Sequence, residues 1–501
     1  MFTSLFRLIR SVLRSIRSAV MTDPEIQSLA KKHPRLTSWI RRRFVRGQFS
    51  GLPLTILAIV LMYVLALLAG IIEDVIRSEV ILAADTRMAN LFYSFRSLPV
   101  LKFFFVITVL GKVPVVVVLA LLFSLFLWLA FKRFAPFLIF WLVIVSSESF
   151  TFVGKILLHR ARPVTAAYAE TAASFPSAHA TISVALFGFI AYIIWRVSKT
   201  KKVRAAVAFL SLAIIFLIGL SRLYLGVHWF SDVWAGYLIG CLWLVVGISL
   251  LEWRWYGQAI ERLSPRVRAW GIGLLIVGVI FYGGASVYLV SRWQPITPAF
   301  DNPAVVSQVF DVFTVYQRSR YTETLIGTRQ EPLSFIIMAP DDAAVVAAFA
   351  DAGWQLADGV NFSSVTRMAR AALFNQPYAT APMTPDFWNG QVHDFGWEKT
   401  TEQASVRQRH HTRFWRTNFQ TTDGQNIYFG TASLDIGIKW LVTHQISPDI
   451  DTEREFIFND LELAGALADT QKEKLVDPVL GQNFSGDLFF TDGQVYIVRL
   501  R

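Results

Sequence analysis

The chain has 501 residues, 54% of them hydrophobic and only 17% charged, with a mean hydropathy of +0.45. A soluble globular chain carries roughly a quarter charged residues, so the composition argues against a purely soluble protein. The long apolar runs, nearly all between Leu52 and Leu289, instead point to a membrane part joined to a soluble part. The formal net charge is +12, and the one cysteine, Cys241, excludes an internal disulfide or a cysteine-built metal site.

Much of the positive charge lies in the first fifty residues, in RLIRSVLRSIR and KKHPRLTSWIRRRFVR. A nucleic-acid partner is not expected, because no Gly-rich or aromatic-interleaved pattern accompanies the basic residues, and an apolar span follows directly. Positive-inside charge on a membrane surface accounts for it. FTSLFRLIRSVLRSIRSAV spaces Arg and Leu/Ile like a helix lying on that surface, and Met21 offers an alternative start.

A helix needs about twenty apolar residues to cross a bilayer. Seven stretches qualify: 52–72, 112–131, 136–154, 179–197, 204–222, 231–251 and 270–291. LPVLKFFFVITVLG, ahead of the second, reads as a separate interfacial or re-entrant piece. The basic connections RRRFVR, FKRF, SKTKKVR and ERLSPRVR alternate so as to put the N-terminus in the cytoplasm. The other connections, and everything after the seventh span, then lie outside; in a bacterium this is the periplasmic face of the inner membrane.

From Trp293 the character changes. QPITPAFDNP is a Pro-rich linker, followed by a strand, LSFIIM, and a helix opened by PDD. Two hairpins are expected, HTRFWRTNF-QTTDGQ-NIYFGTASL and DLFF-TDGQ-VYIV, each with an Asp-Gly turn between apolar runs. The fold class is therefore an all-α polytopic membrane bundle followed by a soluble α+β domain.

Three polar clusters fall at outer ends of the spans: KILLHRARP (Lys155–Pro163), FPSAHA with Ser177 and His179, and SRLYLGVHWFSD (Ser221–Asp232). Any one of them alone reads as snorkelling at a helix end. Three on one side of the membrane mark a functional site. Lys155 and Arg162, seven apart, would share a helix face until Pro163 ends it. With Arg222 they supply three cations for a phosphate or pyrophosphate, and Ser177 and nearby backbone N–H groups add neutral donors. His228 and Asp232 at i, i+4 allow the carboxylate to hold one ring nitrogen and leave the other as a nucleophile. His179 then serves as the acid for the leaving group. No metal or other cofactor is required by this set.

Lys155–Pro163 fits K-x6-R-P, Ser221–Asp232 fits S-R-x5-H-x3-D and Pro176–His179 resembles P-S-G-H, and the chain resembles the type 2 phosphatidic acid phosphatase superfamily over residues 50–255. The resemblance implies a six-helix membrane core, to which this chain adds one helix. It makes His228 the nucleophile, Asp232 its orienting partner and His179 the general acid. Lys155, Arg162, Ser177, Ala178 and Arg222 become phosphate ligands. Ala178 stands where the family usually has glycine; if the position needs positive φ, the methyl group adds about 1–2 kcal/mol of strain. The vanadium haloperoxidases of the superfamily are soluble, which separates this chain from them.

RHHTRFW, FGTASLD and ISPDIDTERE resemble the LssY C-terminal domain. As a strand, RHHTRFW puts Arg409, His411 and Arg413 on one face, able to grip an anionic headgroup at a second site. A structural ion-pair network, or a metal site made by His410, His411 and His444 with Asp449, Asp451 and Glu453, are the alternatives. The expected organisation is a basic cytoplasmic segment (1–50), a catalytic membrane domain (51–255), a cytoplasmic loop with the last transmembrane helix (256–292) and an LssY-like domain (293–501). The activity implied is hydrolysis of a membrane lipid's phosphomonoester or pyrophosphate through a phosphohistidine. Undecaprenyl pyrophosphate leads the candidates, followed by phosphatidic acid and phosphatidylglycerol phosphate. Transfer of the phosphate to lipid A or another acceptor, and non-catalytic lipid binding or partner recruitment, are the rival readings.

Overall fold

The computed structural model describes residues 22–45, 47–256, 263–296, 302–374, 376–405, 408–439 and 443–501, with scattered positions before residue 22. The surface helix expected near the N-terminus lies largely outside these residues, as do parts of QPITPAFDNP and ERLSPRVR.

Two short helices, α1 (Pro24–Lys32) and α2 (Pro34–Arg43), lead into α3 (Leu52–Arg77). Then follow α4 (Glu79–Ser94), α5 (Leu98–Val109), α6 (Val113–Phe131), α7 (Phe134–Leu158), α8 (Ala178–Val197), α9 (Lys201–Tyr224), α10 (Phe230–Trp255) and α11 (Pro265–Ser291). Proline occupies the first turn of α1, α2, α3, α5, α6 and α11, where its missing N–H has no intrahelical partner to lose. Among the described residues seven helices, α3 and α6 to α11, are long and apolar enough to cross a membrane, and the chain is a multi-pass membrane protein. The stretch LPVLKFFFVITVLG forms α5, a separate twelve-residue helix. The polar-interrupted run before it forms α4, which the span pattern did not reveal.

Two features of the bundle position the polar clusters. α7 stops at Leu158, because His159 adopts a left-handed conformation (φ 43°). Arg162 is therefore on a loop and not, as the seven-residue spacing suggested, on the helix face of Lys155. Second, α10 carries Gly236 and Gly240 against α8. A Cβ at Gly236 would stand 2.6 Å from the Ser177 carbonyl oxygen, and one at Gly240 2.7 Å from that of Thr181. This small-xxx-small spacing lets the two backbones approach. The Ser177 N–H can thus donate to the Asp232 carbonyl at 3.0 Å.

The C-terminal part holds β1 (Ala304–Val306), α12 (Asp311–Thr314), β2 (Tyr321–Glu323), β3 (Arg329–Pro332), β4 (Phe335–Ala339), α13 (Asp342–Asp351) and β5 (Gln355–Leu356). These are followed by α14 (Phe362–Phe374), β6 (Phe387–Trp388), β7 (Gln391–Val392), β8 (Phe395–Ser405), β9 (Gln408–Thr421), β10 (Asn426–Lys439) and β11 (Thr443–Ile446). Last come α15 (Ile450–Leu463), β12 (Leu467–Lys474), β13 (Val479–Gln482), β14 (Leu488–Thr491) and β15 (Gln494–Leu500). The main sheet runs β12-β15-β4-β10-β9-β8-β5, with β1 added to β9 and β11 to β10. Alternate residues serve its two faces. Phe335 and Ile337 pack with Phe349 of α13 and Ile457 of α15, while Ile336 packs with Trp415, Phe429 and Phe313 on the other side. The β9–β10 hairpin forms as expected. The second does not: β14 pairs with β13 and β15 with β12 and β4, so TDG joins two sheets. Arg454 of α15 donates to Asp492 at 2.8 Å where the chain passes from one sheet to the other.

The C-terminal part docks on α4. Arg87 donates to Glu323 Oε2 at 2.6 Å, and Asn90 donates to the Gly390 carbonyl at 2.8 Å.

Candidate active site

The three clusters, distant in sequence, meet at one end of the bundle. Asp232 lies in the first turn of α10, and its Oδ2 accepts the backbone N–H of Trp229 at 2.9 Å. His228 precedes the helix, so the pair is brought together by this cap and not by a continuous helical face. His228 Nδ1 lies 3.3 Å from the same Oδ2. On the other side of the ring, Arg162 Nη1 is 3.3 Å from Nε2. A guanidinium only donates, so Nε2 is the acceptor and Nδ1 carries the proton toward Asp232. Burial, reinforced by Arg222, Arg162 and Lys155, pushes the His228 ring well below the ordinary imidazole range. The ring is neutral, with its Nε2 lone pair turned to Arg162.

Of the cations around it, Lys155 and Arg162 are held by main-chain oxygens and Arg222 by side chains. Lys155 donates to the Ala173 carbonyl at 2.5 Å, and Arg162 to those of Val227 (2.5 Å) and Ala172 (2.9 Å). Arg222 is fully buried and binds Thr108 Oγ1 at 2.7 Å and the Tyr168 hydroxyl at 2.5 Å. Between the arginines stands Glu170, 3.0 Å from Arg222 Nη2 and 3.5 Å from Arg162 Nη2. Burial works against the Glu170 charge, but Arg222 and Arg162 overcome it and hold the carboxyl down at about 2. Facing this group, Ser177 Oγ and His179 Nε2 are buried with no hydrogen-bond partner among the described residues. His179 fits because residue 111 is glycine: a Cβ there would stand 2.5 Å from the imidazole ring. Ala178 opens α8 and is not among the residues with positive φ, so the strain considered for its methyl group does not arise.

His228, Asp232, His179, Lys155, Arg162, Ser177, Ala178 and Arg222 thus share one region. Sequence reasoning missed Glu170, Tyr168 and Thr108, and also the residues behind Asp232. Arg160 donates to Asp232 Oδ1 at 2.8 Å and to Asp85 at 2.7 Å. Arg160 stands inside the KILLHRARP cluster, where its charge was the available signal; Asp85 lies in a stretch with no motif.

The second site expected at Arg409, His411 and Arg413 is not an open face. Arg409 and His411 are buried, Arg409 pairing with Glu398 and Asp435 on the neighbouring strands, and His411 Nδ1 lying 3.3 Å from Asp435. Arg413 lies 3.1 Å from the His411 ring. His410 points to the opposite face of β9 and meets Glu453 at 2.8 Å. The two histidines therefore serve different carboxylates, and no cluster able to hold a metal occurs among the described residues. The His444 side chain lies outside them.

Comparison with known proteins follows this division. Residues 136–256 match the PAP2 superfamily and residues 315–495 match the LssY C-terminus. Phosphatidylglycerophosphatase B of Bacillus subtilis (strain 168) is 37% identical over 95 residues, 18% of this chain and 45% of that protein. The match thus spans less than half the length of this curated relative. Among solved structures, the transmembrane PAP2 type phosphatidylglycerolphosphate phosphatase from Bacillus subtilis is 24% identical with a TM-score of 0.37, covering 38% of this chain and 96% of that one. Aquifex aeolicus LpxE is 22% identical with a TM-score of 0.26, covering 32% and 92%. A PAP2 superfamily match in the membrane helices is thus followed by an LssY C-terminus match in the strand-rich C-terminal part.

Proposed function

We propose that the protein is a membrane lipid phosphatase acting on a terminal phosphate or pyrophosphate. The observation that carries this reading is the neutral, buried His228 ring, with Nδ1 on Asp232, Nε2 on Arg162, and Lys155 and Arg222 near enough to act on its charge. In this mechanism Nε2 attacks phosphorus and the P–O bond to the lipid breaks. His179 gives its proton to the leaving oxygen, and the arginines hold the charge on the transferred group. Water then attacks the phosphohistidine with His179 as base, releasing phosphate and restoring the ring.

A groove of about 600 Å³ between α3 and α7 supports a lipid substrate. Leu68, Ile72, Phe150 and Trp243 line it, and it reaches Gly154 and Pro176, the neighbours of Lys155 and Ser177. A lipid tail seated there places its phosphate at the cations. Undecaprenyl pyrophosphate, phosphatidic acid and phosphatidylglycerol phosphate all meet this description, the last being close to the activity in the name of the Bacillus relative. The basic connections RRRFVR, FKRF and SKTKKVR support a cytoplasmic opposite end, with the site and the soluble domain periplasmic in the inner membrane.

The test is phosphate release by the purified full chain from these three lipids in detergent, beside His228→Ala. Release by the parent, lost in the variant, is expected. Equal release by both overturns the assignment of His228, and no release from any of the lipids by the parent overturns the phosphatase reading.

A further inference from the structure

The carboxylate that orients His228 is itself held from behind. Asp232 Oδ1 accepts Arg160 Nη1 at 2.8 Å, and Arg160 Nη2 donates to Asp85 Oδ2 at 2.7 Å. Asp85, only 3% exposed, also accepts the Ser231 hydroxyl at 2.5 Å and the Ser231 N–H at 3.0 Å. Arg160 is thereby clamped between two carboxylates, with its guanidinium over the Trp229 ring at 5.4 Å. A guanidinium free to turn would leave Asp232 Oδ1 with no charged partner and let the carboxylate rotate away from the ring.

Asp85 belongs to α4, outside the residues that match either family. Two and five positions further along, the same helix is gripped by the soluble domain. Glu323 binds Arg87 through Oε2 at 2.6 Å and the Gly390 N–H through Oε1 at 2.6 Å, and Gly390 in turn accepts Asn90. The active-site end of the bundle and the soluble domain thus share one short helix.

We propose that Asp85 and Arg160 are positioning residues for the Asp232–His228 pair, and that the soluble domain sets their geometry through α4. This rests on the phosphatase reading for its kinetics. A plain capping role for Asp85 at Ser231 is the competing explanation, and Asp85→Asn separates the two. Asparagine keeps an acceptor for the Ser231 N–H and loses the charge facing Arg160.

In the full chain, Asp85→Asn and Arg160→Met are each expected to lower kcat on phosphatidic acid about 10–100-fold with little change in KM. The double variant should be no worse than either single one, because the two act as a unit. Glu323→Gln, which touches no site residue, should lower kcat several-fold in the parent and have no further effect in Asp85→Asn. Binding of orthovanadate, measured by calorimetry, reports the same histidine without turnover and should weaken about tenfold in Asp85→Asn. Parent-like kcat and vanadate affinity in Asp85→Asn, or multiplying effects of Asp85→Asn and Arg160→Met, overturn the positioning role. A parent-like rate in Glu323→Gln overturns the part given to the soluble domain. A parent that binds vanadate in an Asp85-dependent way but releases no phosphate overturns the phosphatase reading while supporting this one.

Discussion

Two regions of this molecule bury arginines, histidines and carboxylates together, and they differ in how the charges are matched. In the soluble domain, Arg409 sits between Glu398 and Asp435, and His410 meets Glu453. The partners come from neighbouring strands and from α15, fixed by the sheet's own register. In the bundle, Arg160 pairs with Asp85 and Asp232, while the single carboxylate of Glu170 is shared by Arg162 and Arg222. Lys155 and Arg162 bond mainly to main-chain oxygens, and Ser177 Oγ and His179 Nε2 have no hydrogen-bond partner among the described residues. A buried cation matched by carboxylates on its neighbours is costly to remove from a fold. A buried set that leaves donors and a neutral imidazole unspent is arranged for a further anion.

The contrast is broken most directly at Arg222. Arg222→Leu should lower kcat/KM for lipid phosphate by about 10²–10³-fold, measured by phosphate release, because a buried donor to the transferred group is lost. The bundle should still fold. Arg409→Leu should do the reverse, leaving Glu398 and Asp435 buried without their cation. The expected cost is about 3–5 kcal/mol of stability, seen in chemical denaturation, with the rate per folded molecule unchanged. A smaller effect is expected at Asp386, whose carboxyl burial pushes up to about 7 against the opposing pull of Arg413. A carboxyl raised in the fold costs stability as pH climbs from its unfolded value, about 3.8, through about 7. Asp386→Asn should therefore match the parent near pH 4 and gain on it steadily as the pH climbs through 7, in paired denaturation curves. The mildest change is Glu170→Gln, which should tighten inhibition by free phosphate a few-fold, read from product-inhibition kinetics.

The parts of this architecture that follow from local pattern were legible in the sequence. Twenty-residue apolar runs announce membrane helices, and the Asp-Gly turn between β9 and β10 announces a hairpin. The three polar clusters were legible because they interrupt apolar runs, where charge is costly. What was not legible depends on single backbone conformations or on contacts without a local signature. The left-handed His159 ends α7 early and moves Arg162 onto a loop. Asp85 reaches Ser231 across 146 positions. The DLFF and VYIV runs look like hairpin partners until Arg454, from a helix some forty residues earlier, claims Asp492. Strand alternation correctly placed Arg409 and His411 on one face, but alternation does not say whether that face meets solvent or another layer.

Glu170 has a consequence for selectivity at a membrane surface. Such a surface is crowded with phosphodiester headgroups, each a monoanion and each an unwanted competitor for two buried arginines. Because Arg162 and Arg222 already share a carboxylate of the same charge, a diester gains nothing in charge by displacing it. A terminal phosphate, at about −1.5 to −2 near neutral pH, does gain. Occupancy thus becomes an exchange of one anion for another, and the loop sets the rate at which it favours the more highly charged one.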